Sequence, residues 1–197
     1  VNALLDAQRQ TLSLVQPWLV HCKNRPYVNI GGGFGVPYFP HDKPLDEEQL
    51  AQGMRTVFEE FSEVIHSADI VIELGRYLVA ETGVYLSKVI DVKKSQGKTF
   101  VVCSGGLHHH LANSGNFGQV VRRNYPVVLA NKINDSQLVE QTLVGPLCTP
   151  LDILADNLLL PNAEVGDWVA VLLSGAYGAS ASPQGFLGHD GVREILV

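Results

Sequence analysis

The sequence predicts an α/β segment followed by an all-β domain, and three observations lead there. Helical and β-prone stretches alternate through about residue 86. Beyond it, β-prone stretches follow one another, punctuated by clusters of Gly, Asn, Asp and Pro. The 197 residues, 46% hydrophobic and 17% charged, supply enough apolar material for one large or two small folded domains and exclude a disordered or collagen-like chain. The expected division is therefore 1–86 and 87–197.

Each element has a local reason. Leu4, Leu5, Leu12, Val15 and Leu19 form a helical stripe, predicting a helix over Asn2–Val15 that Pro17 should end, since proline lacks the amide proton and clashes with the preceding turn. Tyr27–Ile30 is a short β-prone run entering the glycine-rich stretch Gly31-Gly32-Gly33-Phe34-Gly35, after which Pro37, Pro40 and Pro44 keep the chain irregular. Asp46 with Gln49 resembles a capping box, and Leu50, Met54, Val57, Phe58, Phe61 and Ile65 follow at helical spacing, predicting a helix from Asp46 to Ser62. Asp69–Leu74, with Ile70, Val71 and Ile72 continuous, reads as a strand buried on both faces in a parallel sheet. Val84–Val92, Thr99–Cys103, Val127–Ala130, Leu138–Val144 and Trp168–Leu173 then read as strands of an antiparallel β domain.

Charge and cysteine usage narrow the function classes. Twenty acidic residues against fourteen basic ones, a net charge of -6, leave no electrostatic footprint for nucleic acid and no basic run for an anionic membrane. The longest apolar runs, such as Trp168–Leu173, fall far short of the roughly 20 residues that span a bilayer. Cys22, Cys103 and Cys148 are odd in number, widely spaced and in no C-x-x-C pair, which suits free thiols in a reducing cytoplasm. The first residue is Val1, with helical pattern from Asn2 and no charged-then-apolar leader, so the chain is read as beginning mid-protein.

Three groups of residues could carry chemistry. The loop Gly31–Gly35 follows a strand, where glycines let backbone amides approach an anion such as phosphate; by itself it reads first as a tight turn between strand and helix and needs partners to count. It is no dinucleotide fingerprint, because the third glycine position is Val36, and no P-loop, because no Gly-Lys-Ser/Thr follows. Glu73 and Arg76 lie at the carboxyl end of the next strand, where α/β folds gather ligand groups: a carboxylate there can hold a protonated heterocyclic nitrogen and an arginine a phosphate, or the two can form a local ion pair. The triplet His108-His109-His110 is read as extended, so its side chains alternate and cannot converge on one ion; no metal is expected, and one histidine is assigned a substrate-side or structural role.

Four motifs in order, Gly31-Gly32-Gly33-Phe34-Gly35, Glu73-Leu74-Gly75-Arg76-Tyr77-Leu78-Val79-Ala80-Glu81, Gly145-Pro146-Leu147-Cys148-Thr149-Pro150-Leu151-Asp152 and Gly175-Ala176-Tyr177-Gly178, resemble those of the fold-type III pyridoxal-phosphate decarboxylases, which include the diaminopimelate and ornithine decarboxylases. The resemblance spans residues 29 to 186 and implies the C-terminal part of an alanine-racemase-like (β/α)8 barrel followed by an antiparallel β-barrel or sandwich domain. It implies pyridoxal 5'-phosphate as cofactor, its phosphate held by Gly31, Gly32, Gly33, Gly75, Arg76 and Tyr177 and its ring nitrogen by Glu73. An anionic partner keeps that nitrogen protonated, so the ring can accept the electron pair left when carbon dioxide departs. Racemases of the same fold place an arginine at that position, so Glu73 argues for decarboxylation. Cys148 resembles the cysteine that enters the partner's site across a homodimer and helps protonate the substrate carbon; out of context it reads as a small buried hydrophobe. Tyr177, otherwise a core-packing residue, is implied to be a phosphate-binding phenol.

The departures from the family pattern matter as much. Thr149 stands where relatives acting on diamines or diaminopimelate carry an acid that meets the distal ammonium; Asp152 is a candidate substitute. The Arg-Pro pair of diaminopimelate decarboxylases is absent from 104–117, which instead holds the histidine triplet. With Ser180-Ala181-Ser182-Pro183 and Phe186, this resembles a subgroup tied to exopolysaccharide or secondary-metabolite clusters, some of whose members act on aminoacyl groups tethered to a carrier protein. None of Lys23, Lys43, Lys88, Lys93, Lys94, Lys98 or Lys132 sits in the context of the family's cofactor-binding lysine. A barrel takes about 250 residues, of which 1–86 supply only the last units. The expectation is a decarboxylase whose N-terminal barrel segment lies elsewhere, this chain being inactive alone. A catalytically dead regulatory relative and a racemase are the alternatives.

Overall fold

The computed structural model describes all 197 residues and divides into two compact units, one of residues 1–37 with 42–78 and one of residues 38–41 with 79–197. The division falls at Leu78/Val79, ahead of the composition change near residue 86. The amide of Gly175 donates to the Ala80 carbonyl (3.0 Å) and that of Ser174 to the Gly83 carbonyl (2.8 Å), so residues 80–83 are stitched to the second unit.

In the first unit, α1 (Asn2–Val15) turns Leu5 and Leu12 inward as the periodicity requires, with Gln8 buried beside them. The α-helix ends at Val15, as Pro17 predicts, and the chain continues past the proline in a tighter helix. Pro17 sits in the first turn of this 3-10 segment, Gln16–His21, where a missing amide proton costs no hydrogen bond. In α2 (Glu47–Glu60) Asp46 is the N-cap, its carboxylate accepting from the Gln49 amide at 2.8 Å, as the capping-box spacing predicts. The helix ends at Phe61 and α3 (Ser62–Ser67) follows. A Cβ added to Gly53 would run into the Leu5 side chain, so a small residue is required where α1 approaches α2. Strands β1 (Tyr27–Asn29) and β2 (Asp69–Val71) pair in parallel, Val28 opposite Ile70. Leu5, Leu12, Val28, Ile30, Leu50, Val57, Val64 and Ala68 form the core of this unit. Complete burial of a side chain such as Leu12 or Val57 contributes about 1.5–3 kcal/mol. The two-faced burial expected of Asp69–Leu74 is not found. Asp69 and Val71 are exposed, because two strands alone cover only the face lined by α1 and α2.

The second unit follows α4 (Arg76–Val79). Its strands are β3 (Tyr85–Ser95), β4 (Lys98–Cys103), β5 (Val127–Leu129), β6 (Leu138–Val144), β7 (Ile153–Pro161) and β8 (Trp168–Val171), in the order β5-β8-β3-β4-β6-β7. The pairing is not wholly antiparallel: β4 and β6 run parallel, Val101 opposite Leu143, because the long excursion through the histidine segment and β5 intervenes between them. The β3–β4 hairpin turns at Gln96-Gly97, both with positive φ (49° and 78°), the two-residue geometry that matches strand twist. β7 escaped the sequence reading because Asp156-Asn157 looks like a turn. Asn157 in fact takes a positive φ (47°) inside the strand, at an irregularity in the pairing with β6. The sheet's two end strands are joined by side chains: Asn124, before β5, donates to the Asp156 carbonyl (2.7 Å) and accepts from the Asp156 amide (2.9 Å). The sheet is thereby a nearly closed barrel. No helix in the structure is long and apolar enough to cross a membrane.

Candidate functional site

In the first unit, the β1–β2 hydrogen bonding runs on past the strand ends. Ile30 N–H donates to the Val71 carbonyl (2.9 Å) and Glu73 N–H to the Gly31 carbonyl (3.0 Å), which lays the glycine loop beside Glu73. Gly31 has a φ of 88°, a conformation L side chains rarely adopt, and its amide is held by Asn29 Oδ1 at 2.8 Å. Gly32 is required for a different reason: a Cβ there would fall inside the envelope of the Glu73 carbonyl oxygen. Nothing lies within 4 Å of where a Gly75 Cβ would project. Glu73, Gly75 and Arg76 are exposed at the carboxyl end of β2. Phe34, from the same loop, meets the Tyr77 ring edge-on at 5.5 Å, and the Tyr77 hydroxyl donates to Glu47 at the start of α2. That bond to a carboxylate holds the Tyr77 phenol above its ordinary pKa. The predicted cofactor residues Gly31, Gly32, Gly33, Glu73, Gly75 and Arg76 thus lie on two adjoining loops, all exposed except the half-buried Gly32.

In the second unit, Cys148 is exposed on the turn joining β6 to β7, whereas the Cys103 thiol is buried and pushed up to about 12. Thr149 is half-buried, and its hydroxyl accepts from the Leu151 amide at 3.3 Å. Asp152 does not have the surroundings of a substrate-facing acid. It is 3% exposed, with Oδ1 accepting from Leu107 N–H (2.6 Å) and Oδ2 from Leu147 N–H (2.9 Å). Tyr177 lies in the turn Gly175–Gly178 with a φ of 56°, uncommon for a residue with a side chain, and its ring packs on Phe117 at 5.6 Å.

The histidine triplet is not extended. His109 N–H and His110 N–H both donate to the Gly106 carbonyl (2.9 and 3.2 Å), folding the segment into a helical turn. His108 and His110 point inward, each 1% exposed, and burial lowers both imidazoles to about 4. His109 instead bridges the Tyr85 hydroxyl (3.1 Å) and the Asp190 carbonyl (2.8 Å). Sequence reasoning missed the role of Ser182, whose hydroxyl accepts from Leu111 N–H (2.9 Å) and donates to the Gly178 carbonyl (2.7 Å). The only prior signal was that Ser182 belongs to the unusual Ser-Ala-Ser-Pro stretch.

The glycine loop thus lies against the strand end that carries Glu73 and Arg76. The family described as pyridoxal-dependent decarboxylase, C-terminal sheet domain, matches residues 24–175. The chain belongs to this family. It is 43% identical over 173 residues to the L-glutamyl-[BtrI acyl-carrier protein] decarboxylase of Niallia circulans, covering 86% of this chain and 40% of that protein. It is 34% identical over 172 residues to a diaminopimelate decarboxylase of Archaeoglobus fulgidus, covering 87% of this chain and 39% of the relative. Among solved structures, the diaminopimelate decarboxylase of Helicobacter pylori complexed with L-lysine superposes with a TM-score of 0.73 at 25% identity, over 91% of this chain and 41% of that one. The chain therefore spans about two fifths of the length of the pyridoxal-dependent decarboxylases it matches. Two parallel strands and the sheet domain are displayed here; an eight-stranded barrel is not.

Proposed function

We propose that this chain is the C-terminal portion of a pyridoxal-phosphate-dependent amino-acid decarboxylase, working in the cytoplasm as a homodimer with shared sites. On this reading the cofactor-binding lysine comes from a barrel segment outside these residues. The observation that carries the proposal is the abutment of the glycine loop on Glu73, where Gly32 leaves no room for a side chain. Pyridoxal phosphate, when bound, supplies an electron sink for the pair released as the carboxylate leaves. The loop of Gly31, Gly32 and Gly33 with Gly75 and Arg76 would hold the phosphate through the guanidinium and the backbone amides other than that of Gly31, which Asn29 Oδ1 accepts from, with Tyr177 as a further phosphate group. Glu73 keeps the ring nitrogen protonated. Cys148 Sγ–H delivers a proton to the substrate α-carbon, the thiol being exposed on its turn.

For the substrate, Thr149 replaces the acid that would select a distal ammonium, and the 43%-identical relative is named for a carrier-linked glutamyl group. An aminoacyl group tethered to a carrier protein is therefore proposed over free diaminopimelate. Carbon dioxide release by the complete enzyme decides it. Turnover of carrier-linked aminoacyl substrates is expected, with Glu73→Gln retaining cofactor absorbance but losing on the order of 100-fold or more in kcat. Efficient release from free meso-diaminopimelate with none from carrier-linked substrates would overturn the substrate reading. Unchanged turnover in Glu73→Gln would overturn the site.

A further inference from the structure

From its geometry we infer that Asp152 is a positioning residue: it holds the Cys148 turn against the histidine turn, and so sets where the Cys148 thiol lies. The inference rests on the proposed role of Cys148. The Asp152 side chain stands between two backbone segments and bonds to each, through Leu107 N–H at 2.6 Å and Leu147 N–H at 2.9 Å. Both segments are built around it. A Cβ on Gly106 would overlap the carboxylate oxygens and approach Cγ to 2.6 Å, and a Cβ on Gly145 would approach Cγ to 2.5 Å. Gly106 and Gly145 thus have a packing reason independent of any ligand. They make room for one buried carboxylate.

The main chain of Asp152 closes the same turn. Its carbonyl accepts from Gly145 N–H (2.9 Å) and its amide donates to the Thr149 carbonyl (3.3 Å), so Cys148 lies inside a ring of bonds that begins and ends at Asp152. A second tie comes from outside the core. The exposed Asn116 donates from Nδ2 to the Leu151 carbonyl at 3.1 Å and to Ser114 Oγ at 2.8 Å, linking the end of the histidine segment to the same turn. Replacing the carboxylate by a carboxamide sets an NH2 group against one of two buried N–H donors. The lost bond frees one turn from the other without changing side-chain volume.

The test uses the complete, cofactor-loaded enzyme and the variants Asp152→Asn, Cys148→Ser and the pair. Asp152→Asn is expected to lower kcat by about 10- to 100-fold, the cost of displacing a reacting group by a fraction of an ångström to one ångström, with KM and cofactor absorbance unchanged. The double variant should be no slower than Cys148→Ser alone. Where Cys148→Ser lowers kcat, losses that multiply in the double variant, or an unchanged kcat in Asp152→Asn, overturn the inference. Iodoacetamide labelling of Cys148, read by peptide mass, separates the two readings. If Cys148→Ser leaves kcat intact, the proposed role of Cys148 fails; a several-fold altered labelling rate in Asp152→Asn then still supports positioning, and an unaltered rate overturns it. Should Asp152→Asn not fold, Asn116→Ala loosens the same turn from the surface. A smaller fall in kcat that vanishes in the Cys148→Ser background supports the inference; a fall that persists there, or none, overturns it.

Discussion

His110 should make the protein lose stability as pH falls from 6.5 to about 4, and substituting it should flatten that slope. The side chain is 1% exposed, lies 5.7 Å from each of the Tyr85 and Tyr125 rings, and has a hydrogen bond only at Nδ1, which accepts from Asn113 N–H at 3.3 Å. Nε2 has no partner. Protonation would place a charge among aromatic rings and would turn Nδ1 from acceptor to donor, so burial lowers the imidazole from 6.5 to about 4. The sign follows from proton uptake. Between those two values the unfolded chain binds a proton that the folded chain does not, so stability is complete above pH 6.5 and falls as pH drops to about 4. The gap is worth about 3 kcal/mol, a large share of a domain's net stability. Denaturant titrations of the wild type and His110→Phe at several pH values in this window measure it. His110→Phe fills the ring site without titrating, and its curve should lack the His110 share of the decline while retaining the shares of His108, which burial lowers to the same value, and of the carboxylates. Parallel curves for the two proteins, or an NMR titration midpoint for His110 near 6.5, would refute the reasoning.

Two further outcomes test the architecture. Gly32→Ala should cost about 1–3 kcal/mol of stability and weaken cofactor retention, because its Cβ must displace the Glu73 backbone; a calorimetric melt and the cofactor absorbance report both. Asn124→Ala should cost about 1–3 kcal/mol through the Asp156 backbone groups left unsatisfied where the two end strands of the sheet meet, read as a lowered Tm with the far-ultraviolet spectrum retained.

The placement of much of the candidate site was legible because its residues are punctuation. The glycine loop, Glu73 and Arg76 fall at strand ends, where residue type is dictated by backbone conformation and charge. The exposure of Cys148 on a turn agrees with the position of Gly145-Pro146 before it. Asp152 was read with the wrong surroundings for a physical reason: an acid two residues past a Thr-Pro turn has no local mark of burial, and its partners at Leu107 and Leu147 lie 45 and 5 residues away. The histidine turn was read as extended because its helical bonds all converge on the Gly106 carbonyl, which no side-chain periodicity reveals.

The sequence by itself determined α1 and α2, most of the strands, the order of the four motifs and hence the family. Each of these follows from periodicity, capping or residue type within a short window. Tertiary structure alone decided that β4 and β6 run parallel, that β7 crosses an Asp-Asn pair, that Asn124 ties the two ends of the sheet, and that Asp152 is buried between two glycine turns. Those are choices of partner between segments distant in sequence, set by which arrangement satisfies buried backbone donors and fills space, and a window of neighbouring residues does not contain them.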